Sequence, residues 1–268
     1  MERTDREKGA TMTFADLHRP GEVPFLLPNA WDVPSALAFA DAGFPAVGTT
    51  SFGVAASAGR PDGARASREA TAALVHALAD LPIHVSADIE DGYADDPEQV
   101  ADYVAVLGAD GINIEDSTGE RLIDPAAHTA KITAVKRRSP AVFVNARVDT
   151  YWLGQQADLP STVARARAYV EAGADGIFVP GAQIPHDLAA LAEAIPLPLN
   201  VLVVPGLSLT DLARLGVRRV STGSLPYRAA IHAATSTATA VRDGRPTPDA
   251  TAYPVLQKRL TDYQHGQH

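Results

Sequence analysis

Cysteine is missing from all 268 residues. Its absence excludes disulfides, thiolate metal sites and any cysteine nucleophile or acid. Positive charge is scarce: 23 Lys and Arg stand against 32 Asp and Glu, a net charge of -9. That balance argues against nucleic acid and against an anionic membrane surface as partners. No apolar run is long enough to span a bilayer. The opening residues, Met1-Glu2-Arg3-Thr4-Asp5-Arg6-Glu7-Lys8, are polar and hold no signal-peptide core, and residues 1–11 are expected to be disordered. The expected location is the cytoplasm. The eight histidines show no ligand-type spacing, and His84, inside an apolar run, reads as a core or interface residue.

Apolar residues make up 46% of the chain, enough for a substantial core. Short apolar runs alternate with alanine-rich helical stretches. Strands are expected near Phe25–Pro28, Ala46–Thr49, Ile83–Asp88, Gly111–Glu115, Val142–Arg147, Gly176–Pro180, Leu199–Val204 and Arg218–Thr222. Helical stretches such as Pro97–Leu107, Pro125–Arg138 and Thr162–Ala172 lie between them. Phrases such as Leu107-Gly108-Ala109-Asp110-Gly111 recur, with glycine ending a helix just before a strand begins. Eight such beats predict an α/β fold of the (β/α)8, TIM-barrel type, with a doubly wound sheet as the alternative. The expected division is a disordered extension over 1–11, a barrel over 12–242 and a helical tail over 243–268.

Two acidic clusters close successive strands, Asp88-Ile89-Glu90-Asp91 and Glu115-Asp116. Carboxylates at the ends of buried strands are costly unless they hold a cation or do chemistry. The carboxyl ends of barrel strands are also where such enzymes keep their active sites. Other polar groups crowd the same rim: Asn29, Thr50-Ser51-Phe52, Asp62 and Asn145-Ala146-Arg147-Val148-Asp149.

These phrases, together with Ala87-Asp88-Ile89-Glu90-Asp91-Gly92-Tyr93 and Ala172-Gly173-Ala174-Asp175-Gly176, resemble the phosphoenolpyruvate mutase/isocitrate lyase superfamily over roughly residues 20–240. The resemblance implies a barrel whose eighth helix is exchanged between subunits, in a homodimer or homotetramer. It also implies bond making or breaking next to a 2-oxo carboxylate, with Mg²⁺ or Mn²⁺. Mg²⁺ takes hard oxygens and keeps several waters, so one to three carboxylates suffice. Asp88, Glu90 and Glu115 are the implied metal ligands. Aligning on Gly92-Tyr93 gives Asp88 and Glu90 the two metal-facing places; aligning on the strand start keeps only Asp88. Arg147 falls at the family's substrate arginine, and its planar fork suits a carboxylate; a salt bridge to Asp149 is the plain alternative. Thr50, Ser51 and Phe52 match a turn that cradles the substrate carboxylate, and Asn29 is a further rim hydrogen-bonder. Asp62 matches a loop acid, or is a turn residue before Gly63. Tyr93 either delivers a proton or lines the pocket.

The departures narrow the chemistry. The family's isocitrate and methylisocitrate lyases carry a loop cysteine after strand four; here the segment is Ser117-Thr118-Gly119-Glu120-Arg121-Leu122. That segment is also short for a gating lid, and Pro180 stands where the mutase has a histidine. The expected function is therefore a Mg²⁺-dependent carbon–carbon lyase or decarboxylase. Its substrate would be a small 2-oxo or 2-hydroxy dicarboxylate, cleaved through a pyruvate-type enolate. A phosphonopyruvate hydrolase or mutase and a non-catalytic metabolite-binding barrel are the alternatives.

Overall fold

A computed structural model describes residues 12–266 of the protein; the segment 1–11, expected to be disordered, lies outside them. In chain order the elements are β1 (Phe25–Leu27), β2 (Asn29–Ala30), α1 (Val33–Asp41), β3 (Ala46–Thr49), α2 (Ser51–Ser57), α3 (Arg68–Ala77), β4 (His84–Asp88) and α4 (Pro97–Leu107). There follow β5 (Gly111–Glu115), β6 (Ser117–Thr118), β7 (Arg121–Leu122), α5 (Pro125–Arg138), β8 (Phe143–Arg147), α6 (Thr150–Leu153), α7 (Leu159–Glu171), β9 (Gly176–Phe178) and α8 (Pro185–Ala194). The chain ends with β10 (Leu199–Leu202), α9 (Leu209–Arg214), β11 (Val217–Ser221), α10 (Leu225–Arg242) and α11 (Tyr253–Gln264).

The main sheet has nine segments in the order β1-β11-β10-β9-β8-β5-β4-β3-β2, all pairs parallel. β1 and β2 are two halves of one strand, divided at Pro28. Proline has no N–H to give a ladder, but its carbonyl accepts from Gly48 N at 2.8 Å. One half pairs with β11 and the other with β3, so the sheet closes on itself as the expected barrel. The hairpin β6–β7, formed by the segment after β5, stands outside it.

Local signals explain the alternation. Asp96 and Asp124 each precede a proline and accept from the backbone N–H two residues on, at 3.0 and 2.9 Å. These caps start α4 and α5 with proline in the first turn, where its missing N–H costs nothing. Gly108 ends α4 at φ 73, the left-handed region that favours glycine. Val47, Val85, Ala87, Ile112, Ile114 and Val144 pack outward against the helices in the main core. By the two-residue period of a strand, Ser86, Asn113, Asn145 and Arg219 then face the barrel axis, all buried.

The end of the barrel away from the strand tips is stoppered by aromatic rings. A 3-10 turn, Ala15–His18, brings Phe14 and His18 against Phe25 and Phe143. The His18 ring stacks on Phe143 at 4.2 Å. Gly111 lies so close beneath that a Cβ there would sit 2.6 Å from the Phe14 ring. Burial, aided by the nearby charge of Arg219, pulls the His18 pKa down to about 3.

The two last helices are poorly covered. α10 buries only Ala240, and α11 buries no residue. Ile231, Val241 and Tyr253 are 53%, 66% and 77% exposed. α11 lies back on its own barrel, where Tyr263 donates to the Ala77 carbonyl at 2.7 Å and Arg259 pairs with Asp41.

Candidate active site

A cavity of about 90 Å³ opens at the strand tips, lined in part by Asn29, Ser51, Asp62, Asp88, Asn113 and Arg147. Asp88 ends β4. Its Oδ2 accepts from Ser51 N at 3.0 Å and Ser51 Oγ at 2.8 Å. Its own N–H donates to Thr49 Oγ1 at 2.8 Å. The carboxylate is thus fixed by the neighbouring strand and by the first turn of α2, while Oδ1 keeps no protein hydrogen bond among the described residues.

Arg147 ends β8 and, among the described residues, is the only basic side chain lining the cavity. It pairs with Glu115 at 2.9 Å and with Asp149 at 2.6 Å, and lies 5.7 and 5.8 Å from the Trp152 and Phe178 ring centres. Burial works to lower its pKa, but Asp149, Glu115 and Asp88 together raise it, so the guanidinium stays charged. Glu115 itself does not line the cavity; it stands behind Arg147. Burial lifts its pKa well above the ordinary value against the pull of Arg147, and Asp149, Asp88 and Asp62 add repulsion. Asp149 is held by Ser117 Oγ at 2.6 Å. Asp116 is held by Tyr169 at 2.7 Å and Arg165 at 3.0 Å. The second acidic cluster therefore serves as the frame around Arg147.

Asp62 reaches the cavity from the loop before α3. The residue is exposed, yet its carboxyl group is turned toward the site. Loss of water around it, then repulsion from Asp88 and Glu90, push its pKa up to about 6, against the opposing charge of Arg147.

Two of the expected site residues lie away from the cavity. Glu90 does not face the cavity: at φ 50 its backbone turns the carboxylate to Arg65 N at 2.7 Å and Ser67 Oγ at 2.6 Å. Neighbouring Asp91 takes the Arg65 guanidinium at 2.5 Å and Thr118 Oγ1 at 2.6 Å. Both acids thus clamp the loop that carries Asp62. Tyr93 lies behind Asp88, its hydroxyl 2.8 Å from Ser67 Oγ and 3.4 Å from the Asp88 carbonyl, and it does not line the cavity. Thr50, Ser51 and Phe52 line the cavity as expected, but Ser51 directs both its donors to Asp88 and Thr50 caps α2. Asn29 also lines it, with its amide committed to the Thr49 carbonyl at 2.7 Å and its Oδ1 to Gly223 N at 2.8 Å. Gly48 must be glycine here, because a Cβ would sit 2.6 Å from Asn29 Nδ2.

Sequence reading missed the polar floor. Asn113 lines the cavity, and its Oδ1 accepts from Asn145 Nδ2 at 2.8 Å and Arg219 Nη2 at 3.1 Å. Arg219 is fully buried, bonded otherwise to Ser221 Oγ at 3.1 Å and, among the described residues, to no carboxylate; burial lowers its pKa to about 9. The signal was present as polar residues at inward positions of apolar strands. Among the described residues no three acidic or histidine side chains converge as a metal cage. None of the described helices is long and apolar enough to cross a membrane.

A closed parallel barrel with paired acid and arginine at its strand tips defines an enzyme of the barrel lyase, mutase and hydrolase class. The sequence pattern of the phosphoenolpyruvate phosphomutase family matches residues 14–242, and the chain belongs to that family. An uncharacterised protein of Mycobacterium tuberculosis is 61% identical over 254 residues, covering 95% of this chain and 98% of its own. The 2-methylisocitrate lyase of Bacillus subtilis is 32% identical over 186 residues, 65% of this chain and 60% of the lyase. A phosphonopyruvate hydrolase solved with oxalate and Mg²⁺ superposes with a TM-score of 0.79 at 26% identity, over 90% of this chain and 92% of the hydrolase.

Proposed function

We propose that the protein is a Mg²⁺-dependent carbon–carbon lyase or decarboxylase that cleaves a small 2-oxo or 2-hydroxy dicarboxylate through a pyruvate-type enolate. The observation that carries this reading is Asp88, locked by Ser51, facing the same small cavity as Arg147. The donor set fits a hard cation. Asp88 offers an unbonded oxygen, Asp62 and Glu115 lie within electrostatic reach of it, and Mg²⁺ is commonly held by one or two carboxylates plus waters. Asp88 would hold the ion directly, with Asp62 and Glu115 through water. When bound, Mg²⁺ supplies positive charge opposite the oxygens of an oxo acid. The similarity to a lyase and to a hydrolase solved with oxalate and Mg²⁺ supports the same reading.

The chain's own residues have distinct tasks. Arg147 orients a substrate carboxylate, with the Trp152 and Phe178 rings beside its guanidinium. Ser51 fixes Asp88 before substrate arrives, so no reorganisation is needed during reaction. In decarboxylation the bond to the departing carboxylate breaks, CO₂ leaves, and the electron pair stays on the remaining carbon until a proton returns. Asp62, with a pKa near 6, is placed to hold that proton at its carboxyl oxygen. The missing thiol sets the chain apart from lyases that use one.

The test is turnover of a panel of 2-oxo and 2-hydroxy dicarboxylates, followed by release of pyruvate-type products. EDTA should abolish it and Mg²⁺ restore it. No product from any member, with phosphonopyruvate hydrolysed instead, would shift the reading to the hydrolase. We further propose a homodimer or homotetramer in which α10 packs on a neighbouring subunit, because Ile231 and Val241 are otherwise bare. Sedimentation as a monomer at micromolar concentration would sink that proposal.

A further inference from the structure

Arg219 stands on β11 behind two residues that line the cavity, Asn113 and Ser221. It has no exposed surface. Its Nε donates to Ser221 Oγ and its Nη2 to Asn113 Oδ1, both at 3.1 Å; among the described residues its Nη1 has no partner. A buried guanidinium without a carboxylate loses more by desolvation than two bonds to neutral oxygens return. Neither oxygen depends on it. Asn113 Oδ1 also accepts from Asn145 Nδ2 at 2.8 Å, and Ser221 Oγ itself donates to Asn200 Oδ1 at 3.2 Å. Folding therefore gains little from this cation, and its use lies in what it does to its neighbours. The effect on Asn113 is directional. Arginine carries hydrogen-bond donors only. It can meet the Asn113 amide only at the oxygen, so Oδ1 is held toward β11 and the N–H2 is left for the cavity. Among the described residues no acceptor takes those hydrogens. An amide with Asn145 as its single partner could present either end; opposite Arg219 it presents a donor.

We propose that Arg219 is a positioning residue, which fixes the Asn113 amide so that its N–H2 donates to an oxygen of the bound oxo acid. The proposal deepens the lyase reading and rests on it. β5 lies between β4 and β8, the strands that end in Asp88 and Arg147, and Asn113 is in register with Asp88 and Asn145. Its amide thus adds a third point of contact to the two already on that rim. The donor is aimed before substrate arrives, as a preorganised site requires. A fixed donor suits an oxygen that carries no hydrogen, such as an oxo, carboxylate or enolate oxygen. It repels an ammonium group, which has donors only. The floor is thereby set to take oxo acids and to refuse their 2-amino counterparts.

Calorimetric titration of oxalate with Mg²⁺ into the wild type, Arg219→Met, Asn113→Ala and the double variant tests this. Each single change should weaken oxalate about tenfold, the low end for a hydrogen bond to a charged group. The double variant should be little weaker than either single one, because the two residues act through one contact. The melting temperature of Arg219→Met should hold or rise, since an apolar side chain of similar length replaces a buried charge. The preference for oxalate over oxamate, which carries an N–H2 in place of one carboxylate oxygen, should shrink in the same variant. Wild-type affinity in Arg219→Met, losses that multiply in the double variant, or an unchanged preference over oxamate each overturn the inference alone. A lowered melting temperature or a failure to fold does so too, by making Arg219 a residue held for stability. Failure of the wild type to bind oxalate overturns the lyase site beneath it as well.

Discussion

The two ends of the barrel are built from opposite materials. One is stoppered by Phe14, His18, Phe25 and Phe143, with His18 buried and neutral. The other gathers Asp62, Asp88, Glu115, Arg147 and Asp149, with Asp62 and Glu115 pushed toward their protonated forms. The aromatic end lowers the free energy of the fold by burying carbon. The acidic end works against it, since like charges are crowded where water is scarce. Such a concentration of unfavourable charge is what a cation-dependent site looks like before its ligand arrives, and it separates residues held for stability from residues held for chemistry.

That contrast can be broken from either side. Asp88→Ala should lower turnover about ten-thousandfold, roughly 5 kcal/mol of barrier, while the melting temperature hardly moves; a scan on the same sample reads both. Phe143→Ala should do the reverse. It should cost roughly 3–5 kcal/mol of stability through the cavity it leaves, with kcat per folded molecule unchanged, as denaturant titration and active-site counting would show.

Glu90→Gln lies between the two. It weakens the clamp on the Asp62 loop by about 1–3 kcal/mol, so turnover should fall while oxalate still binds. Loss of oxalate binding would return Glu90 to the metal site.

The smallest effects are in the pH dependence. The folded pKa values of His18 and His128, about 3 for each, lie below the ordinary 6.5. The unfolded chain therefore takes up protons first as pH falls from 6.5 toward 3, and stability drops through that window. His18→Phe should make the drop shallower in acid titrations followed by circular dichroism. Asp62 has the opposite sign. Its folded pKa, about 6, lies above the ordinary 3.8, so its ionisation weighs against the fold as pH rises from 4 to 6. Asp62→Asn should remove that contribution, read in the same acid titrations of the metal-free protein.

The barrel was legible because its signals are local. Period-two apolar runs, Asp-Pro helix starts and glycine helix ends each act within a few residues. Asp88 and Arg147 were legible for the same reason, standing at the last positions of β4 and β8. The side-chain directions of Glu90 and Tyr93 are not legible in the sequence, because they depend on positive φ values of 50 and 61, which neither residue type announces. Strand-end positions therefore follow from local pattern, whereas side-chain directions in the turns just beyond them do not. The roles of Asn113 and Arg219 depend on contacts between strands far apart in sequence, a separation of 106 residues in their own hydrogen bond. The β6–β7 hairpin is likewise pinned from outside, through Gln155 and Thr118, and its own residues carry no strong turn-and-strand pattern.

The most direct test is calorimetric titration of oxalate in the presence of Mg²⁺ into the wild-type protein, Asp88→Ala and Glu90→Gln. The expected result is one site per chain in the wild type, no measurable binding in Asp88→Ala, and retained binding in Glu90→Gln. Equal binding by Asp88→Ala and the wild type would contradict the assignment of the strand-tip cavity as the reacting site.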